Sequence, residues 1–461
     1  MRTKIALTFL LLLLFCSAFA QPRTRMGGGR QILRYKSTED SIQLLTVQQK
    51  IDELISKKKF SQKTLDSLMN HQHRLFENTY YVTVYEPRKD FVLSDSLYKM
   101  KNLDEVYSVA VYKKTEIPPI VFLCKNLLDL EIINCTLNEL PEELNALPNL
   151  TRLYLFNNVS RGGLRLPKNN TIKRLDIKTQ DPTYLPKSYK NFVALELLDL
   201  SENKLTRFPN GARRNTNLKE LNLQRNELTL THRLRKHKTL ERLALHGNKI
   251  TTVPGSIKNF PNLRKLNFNI NSITTVHRNI GKLNKLEQLS FYNNKLSSIP
   301  AGVYALTSLL EIDLFHNEIE EIAPAFVNWK NLTTLYLSHN KLTVLPRDID
   351  KLTKLSGIYV WDNRIGKLPE SIGNMPQLKF LRINHNYLKE IPKSFYALPN
   401  IEEIDFSHNY LTAVDEAIFT YPQLHIIALV NNPWTKETWE MIRTKTEDVR
   451  KREVFVHISE E

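Results

Sequence analysis

The sequence has few cysteines. Three occur in 461 residues, at 16, 124 and 135. That number rules out a disulfide framework. Cys124 and Cys135 read as two separately buried thiols, because free cysteine behaves as a small hydrophobe. Long apolar runs are also missing. Ile5 to Phe15 is too short to span a bilayer, and no run of 18 apolar residues follows. With Arg2 and Lys4 before it and Ala18-Phe19-Ala20 after it, this stretch reads as a cleavable signal peptide over residues 1–20. The bulky Phe15 before Cys16 argues against an acylated cysteine. Negative charge is scarce too: 48 Asp and Glu stand against 65 Lys and Arg, a net +17. Signatures of chemistry are absent: there is no G-x-S-x-G, P-loop, H-E-x-x-H or paired C-x-x-C. Cys124, beside Lys125, is the one thiol to consider as a nucleophile, and its setting reads as packing. These absences point to an exported, non-enzymatic protein without a cofactor. It would be secreted, periplasmic or held at the cell surface, with no membrane span.

A short period fills most of the chain. L-x-x-L-x-L-x-x-N-x-L fits Leu195, Leu198, Leu200, Asn203 and Leu205, and again Leu332, Leu335, Leu337, Asn340 and Leu342. The asparagine position recurs at Cys135, Asn158, Gln180, Asn203, Asn226, Asn248, Asn271, Asn294, Asn317, Asn340, Asn363, Asn386, Asn409 and Asn432, at steps of 22 or 23 residues. A period of this length marks a stacked repeat in which no single copy can bury its own apolar face. The L-x-L pair alternates with polar residues, which predicts a short strand with leucines inward. The asparagines are expected to hold main-chain groups at the turn out of the strand. The segment that follows, as in Leu345-Pro346 and Ile349, suits an irregular or short helical return, since proline fixes φ and lacks a donor.

Over residues 103 to 432 the pattern resembles the leucine-rich-repeat family, in its 23-residue class. The resemblance implies an α/β solenoid: a horseshoe with a concave parallel sheet and an irregular or short-helical convex side. It also implies a structural ladder of the asparagine-position residues, with 14 repeats, or 15 if Val106 to Pro118 is a degenerate first copy. Departures are local. Gln180 and Cys135 replace asparagine, Arg161 to Leu166 is an irregular insert, and His277, Ala323 and Asp415 replace the return-path proline. Extracellular eukaryotic members usually carry cysteine-paired caps, so their lack here implies a bacterial source. Residues 21–37 read as a flexible lead, 38–102 as an N-terminal helical cap or small module, and 433–461 as a C-terminal cap with a helix over Glu437 to Arg450.

In this repeat the third, fifth and seventh positions face outward from the sheet and owe nothing to the core. Aromatics gather there between the repeats of Asn294 and Asn386: Tyr292, Phe315, Tyr336, Tyr359, Trp361 and Phe380, with Arg382 beside them. Rings grouped on a rigid face are typical of binding hot spots. Basic residues at outward positions are Arg152, Arg174, Lys178, Arg242 and Lys265, within a stretch (151–300) holding 28 Lys and Arg against 9 Asp and Glu. That imbalance would attract an anionic polymer. His316, His339, His385 and His408 precede asparagines, but Asp362 interrupts them and a metal is not expected. Protein recognition on the concave face is therefore the first expectation. Binding of a glycan or acidic surface polymer is the second, and a structural spacer in the envelope or on the cell surface the third. Nucleic acid is disfavoured by export.

Overall fold

In the computed structural model, residues 87–187 and 189–458 are described in full, with the backbone of Gly29–Tyr35 and Thr79–Tyr85. The segments read as a signal (1–20) and as helices over Ile42 to Phe76 lie outside the described residues. The chain divides into two units, Met1–Thr136 with Tyr154–Asn158, and Leu137–Leu153 with Val159–Glu461.

In the first unit, Gly29–Tyr35 pairs antiparallel with Thr79–Tyr85. The first of these strands falls in the segment read as a lead. Val92–Leu93, Ser108–Tyr112 and Asp129–Ile133 then pair in parallel, so a strand forms where the degenerate first repeat was read. Cys135 accepts the amide of Lys114 at its Sγ, and its own amide donates to Asn158 Oδ1 at 2.8 Å. Cys124 and Cys135 are both free and buried.

The second unit is a solenoid. Turn after turn contributes one short strand to a common sheet, and successive strands pair in parallel without a shift; Thr252–Val253 and Thr275–Val276 form a separate parallel pair. Leu243, Leu266, Leu289, Ile312, Leu335, Ile358, Leu381, Ile404 and Ile427 stand in one row, all buried. Strand alternation places every second residue of this row's strands outward. Full burial of a leucine or isoleucine stabilises by about 1.5–3 kcal/mol, and each turn supplies several.

The turn after each strand has a fixed backbone. The residue before the asparagine lies in the left-handed region, with φ between 50° and 65°, at Glu202, Arg225, Gly247, Ile270, Asn293, His316, His339, Asp362, His385, His408 and Asn431. Asparagine, aspartate and histidine tolerate this region best, which accounts for the histidine column. The asparagine then bridges two turns. Asn340 donates to Leu314 O at 2.9 Å and Leu337 O at 3.0 Å, and accepts from the Ile319 amide at 2.9 Å. Asn226, Asn248, Asn271, Asn294, Asn317, Asn363, Asn386, Asn409 and Asn432 repeat this arrangement. Asn203 holds Thr179 N and Ile177 O, at 2.7 Å each. Gln180, which takes the place of an asparagine in the period, is exposed. The insert at Arg161 to Leu166 passes through Gly162 and Gly163, both at positive φ; a Cβ on Gly163 would meet Leu185 O at 2.9 Å.

The return path is a single 3-10 turn. Prolines 141, 254, 369 and 392 stand at its N-cap. Two of the three residues that replace proline cap by side chain: His277 accepts from the Asn279 amide and Asp415 from the Ala417 amide, while Ala323 is followed by Pro324 inside the turn. Proline needs no such bond because it supplies the backbone angle alone. A second set of asparagines, unnoticed in the sequence, ties these paths together. Asn217, Asn262, Asn331 and Asn400 donate to the carbonyls of Val193, Lys238, Thr307 and Pro376.

The C-terminal end is closed by an α-helix, Lys436–Lys451, capped by Thr435, and a strand, Phe455–His457, paired with Ile426–Ala428. The helix buries Thr438, Ile442, Thr446 and Val449, whereas Trp439 and Met441 are only half-buried. Two threonines thus share the packing with Ile442 and Val449.

Candidate functional site: the sheet face from Gln288 to Ala428

The outward positions are not all free. In the first unit Glu131, Ile133, Tyr154 and Phe156 are buried. The Arg88 guanidinium lies 4.1 Å from the Tyr154 ring and 4.7 Å from the Phe91 ring, and pairs with Glu131. In the second unit Arg174 and Lys178, expected to reach a ligand, are buried in part or in full. Arg174 grips Asp176 through two bonds of 2.7 and 2.9 Å, and Lys178 lies 3.9 Å from Glu202. Their charge is already spent inside the protein. Arg242 is exposed but pairs with Glu220 at 2.8 Å. Arg152 and Lys265 are exposed. Three of the five basic residues are therefore held in ion pairs, Lys178 and Arg242 with neighbouring turns and Arg174 within its own strand.

The aromatics are brought together in two groups. In the seventh-position row, Tyr292 stacks on Phe315 with centroids 5.2 Å apart, and Phe315 meets Trp361 at 5.4 Å and His339 at 4.9 Å. Phe315 and Trp361 sit two strands apart. Ser338 lies between them, fully buried, with its hydroxyl unpaired among the described residues. Only a small residue there lets the two rings meet across it. In the fifth-position row, Tyr336 stacks on Tyr359 at 4.8 Å, and Arg382 stands 5.9 Å from the Tyr359 ring while pairing with Glu403. Gly357 makes room for Tyr359, since a Cβ there would approach its ring to 2.9 Å. Phe380 lies in register with Gly357 and Glu403, half-buried. All six rings remain partly open to solvent.

Carboxylates border these rings. Asp313 is in register with Tyr336, and Asp405 with Arg382. Burial pushes the Asp313 and Asp405 carboxyls above their ordinary range. Burial, with Tyr359, Glu311 and Asp313 nearby, pushes the Tyr336 phenol up to about 12. His339, held by Asp362, has a pKa lowered by burial and packs against Trp361 at 4.1 Å. Among the described residues no group of histidine, cysteine and carboxylate side chains is arranged to hold a metal.

A family model of the leucine-rich repeat matches residues 261–319, 323–365, 353–411 and 376–433. With the parallel sheet and the asparagine ladder, that match assigns the repeats. Residues 261–433 carry leucine-rich repeats, and the fold is that of a leucine-rich-repeat solenoid. Its fold is similar to that of a leucine-rich-repeat protein of Leptospira interrogans, with a TM-score of 0.59 and 24% identity over 81% of this chain and 100% of the other. It is similar to an internalin of Listeria monocytogenes, with a TM-score of 0.50 and 18% identity over 78% and 88%. It is also similar to the Arabidopsis receptor kinase HAESA, solved with the peptide hormone IDA and the co-receptor SERK1, with a TM-score of 0.51 and 25% identity over 71% and 62%. No curated protein matches the chain in sequence. Proteins of this family are generally binding scaffolds rather than enzymes.

Within the leucine-rich-repeat sheet, the third-position residues Glu311, Gly357 and Glu403 escaped the sequence reading. Writing out that column beside the other two would have found them. A further feature lies at the strand-entry edge of the second unit, a groove of about 370 Å³ flanked by Lys219, Lys238, Arg264, Lys285, Glu196 and Glu241. Lys219 pairs with Glu196 and Arg264 with Glu287, while Lys238 and Lys285 make no ion pair among the described residues.

Proposed function

We propose that this leucine-rich-repeat protein is an exported, non-enzymatic recognition protein that holds a protein partner against the aromatic part of its sheet face. One observation carries the reading. Six half-open rings lie on adjacent strands whose spacing is set by the leucine rows and the asparagine ladder. Such rings need not be ordered on binding, so little entropy opposes the contact. The HAESA structure, solved with a peptide hormone and a co-receptor, supports a binding role for such a fold without specifying the surface or the partner. Export rests on the leader at residues 1–20. No helix among the described residues is long and apolar enough to cross a membrane.

The test is the triple substitution Tyr336→Ala, Tyr359→Ala and Trp361→Ala, assayed against partners captured by the wild-type protein and against a glycan array. The reading expects loss of the protein partner by two orders of magnitude or more in Kd, since hot-spot rings cost about 2 kcal/mol or more each. The far-ultraviolet spectrum should not change. Unchanged partner binding removes the face from consideration and favours the spacer role.

The second reading, an acidic polymer, is favoured by the edge groove and its unpaired Lys238 and Lys285. Retention on a sulfated polysaccharide column that falls steeply with salt, and is lost in K238E/K285E, would support it.

A further inference from the structure

The charge of the aromatic face runs against that of the whole chain. The protein carries a net +17. Yet the outward positions from Gln288 to Ala428 hold four carboxylates, Glu311, Asp313, Glu403 and Asp405, against one guanidinium, Arg382. Elsewhere on this sheet acids meet cations on neighbouring turns: Glu220 with Arg242, Glu402 with Lys379, Glu403 with Arg382. Glu311 and Asp313 do not. Glu311 accepts from the Gln288 amide at 3.1 Å, and Asp313 accepts from the Ser290 hydroxyl at 2.7 Å and the Phe315 amide at 3.1 Å. These donors are neutral. They orient the carboxylates and leave the charge uncompensated by any cation among the described residues.

Beside this pair lies the Tyr336 ring, in register with Asp313 and stacked on Tyr359. On the far side of the stack, Arg382 stands by Tyr359 and is paired with Glu403. The fifth-position row thus reads Asp313, Tyr336, Tyr359, Arg382, Asp405. One end of the tyrosine pair has its cation supplied by the protein. The other end has the carboxylates and the ring but no cation. A ring face bordered by two carboxylates attracts a cation by quadrupole and by charge together.

We propose that Glu311, Asp313 and Tyr336 form the seat for an arginine or lysine side chain of the partner, borne on a polypeptide segment whose apolar side chains lie on Phe315 and Trp361. The inference rests on the function proposed above and narrows it to a basic polypeptide. A neutral glycan would leave Glu311 and Asp313 uncompensated, and an acidic polymer would be repelled by them.

The experiment uses the full chain on a random-sequence peptide array. The wild-type protein is expected to select peptides enriched in arginine or lysine next to an apolar residue. The tightest peptide is then resynthesised with citrulline or glutamine at the basic position, and measured against wild-type protein and E311Q/D313N. Each change should weaken Kd on the order of tenfold. Made together they should weaken it no further, because both remove the same contact. E311Q/D313N is close to isosteric and keeps hydrogen-bonding oxygens, so its thermal midpoint serves as the folding control. The citrulline arm leaves the protein untouched altogether. Selection of peptides with no basic preference, an unchanged Kd in E311Q/D313N, or additive losses would each overturn the seat. If Y336A/Y359A/W361A abolishes binding in that case, the recognition face stands and only the basic partner falls. An array that binds nothing overturns the seat, and glycan binding alongside it would remove the protein-recognition reading as well.

Discussion

A single backbone angle explains more of this sequence than any side-chain contact does. The residue before each ladder asparagine must enter the left-handed region, where a Cβ costs roughly 1–2 kcal/mol unless the residue is one that tolerates it. His316, His339, His385 and His408 sit there for this reason, so turn geometry accounts for the column. His385 and His408 do stack, with centroids 3.9 Å apart, but they do so as adjacent rungs. Ile270 is the misfit. It is β-branched, half-buried, and held at φ 51°. Ile270→Asn is expected to raise stability by about 1 kcal/mol, read as a higher urea midpoint at unchanged slope. A lower midpoint would mean that packing of the isoleucine outweighs its backbone strain. The repeat made the column visible in the sequence. The angle was not visible, because nothing in the period distinguishes an exposed histidine from a turn residue.

Among the elements, the one tied down most specifically is the segment leading into the first parallel strands. Arg88 donates its amide to Glu131 at 3.3 Å, pairs with it through its guanidinium, and lies over Phe91 and Tyr154. Glu131 is fully buried, and burial raises its pKa while Arg88 lowers it. Removing the arginine would leave a buried carboxylate without a partner. Arg88→Ala is therefore expected to cost about 3 kcal/mol, whereas R88M/E131L should cost far less, since a buried pair often gives little over apolar residues of similar size. Equal losses in the two variants, by chemical denaturation, would contradict this. The sequence reading took outward strand positions as free of core duty. That holds for the six rings between Tyr292 and Phe380 and fails at Ser338, Ser407 and Ala428, and in the first unit at Glu131, Ile133, Tyr154 and Phe156, because what covers a strand position is set by another part of the chain. Basic Lys178 misled for the same reason, since its acid, Glu202, lies one turn further on, whereas Arg174 pairs with Asp176 two residues along its own strand.

At the scale of the whole molecule, each turn of the second unit is stabilised by its neighbours, so its ends are its weak points. The C-terminal cap covers the last turn with Ile442 and Val449, and Arg452 donates to the carbonyls of Phe419 and Tyr421. Truncation after Asn432 is expected to expose Ile427 and Leu429 and to fray the last turns. Hydrogen exchange should quicken at Leu381 to Leu429 while the amides near Leu221 to Leu266 stay protected. Uniform loss of protection would show the unit to be more cooperative than nearest-neighbour coupling allows. The sequence by itself determined the repeat, the inward leucine rows, the parallel strand order and the place of the aromatics, since all of these follow from a period that fixes neighbours one turn apart. Only the tertiary structure decided which outward side chains are open, which charges are already paired, and that Glu311 and Asp313 meet neutral donors. Those facts depend on distances between turns and on what packs over a strand, and no one-dimensional period contains them.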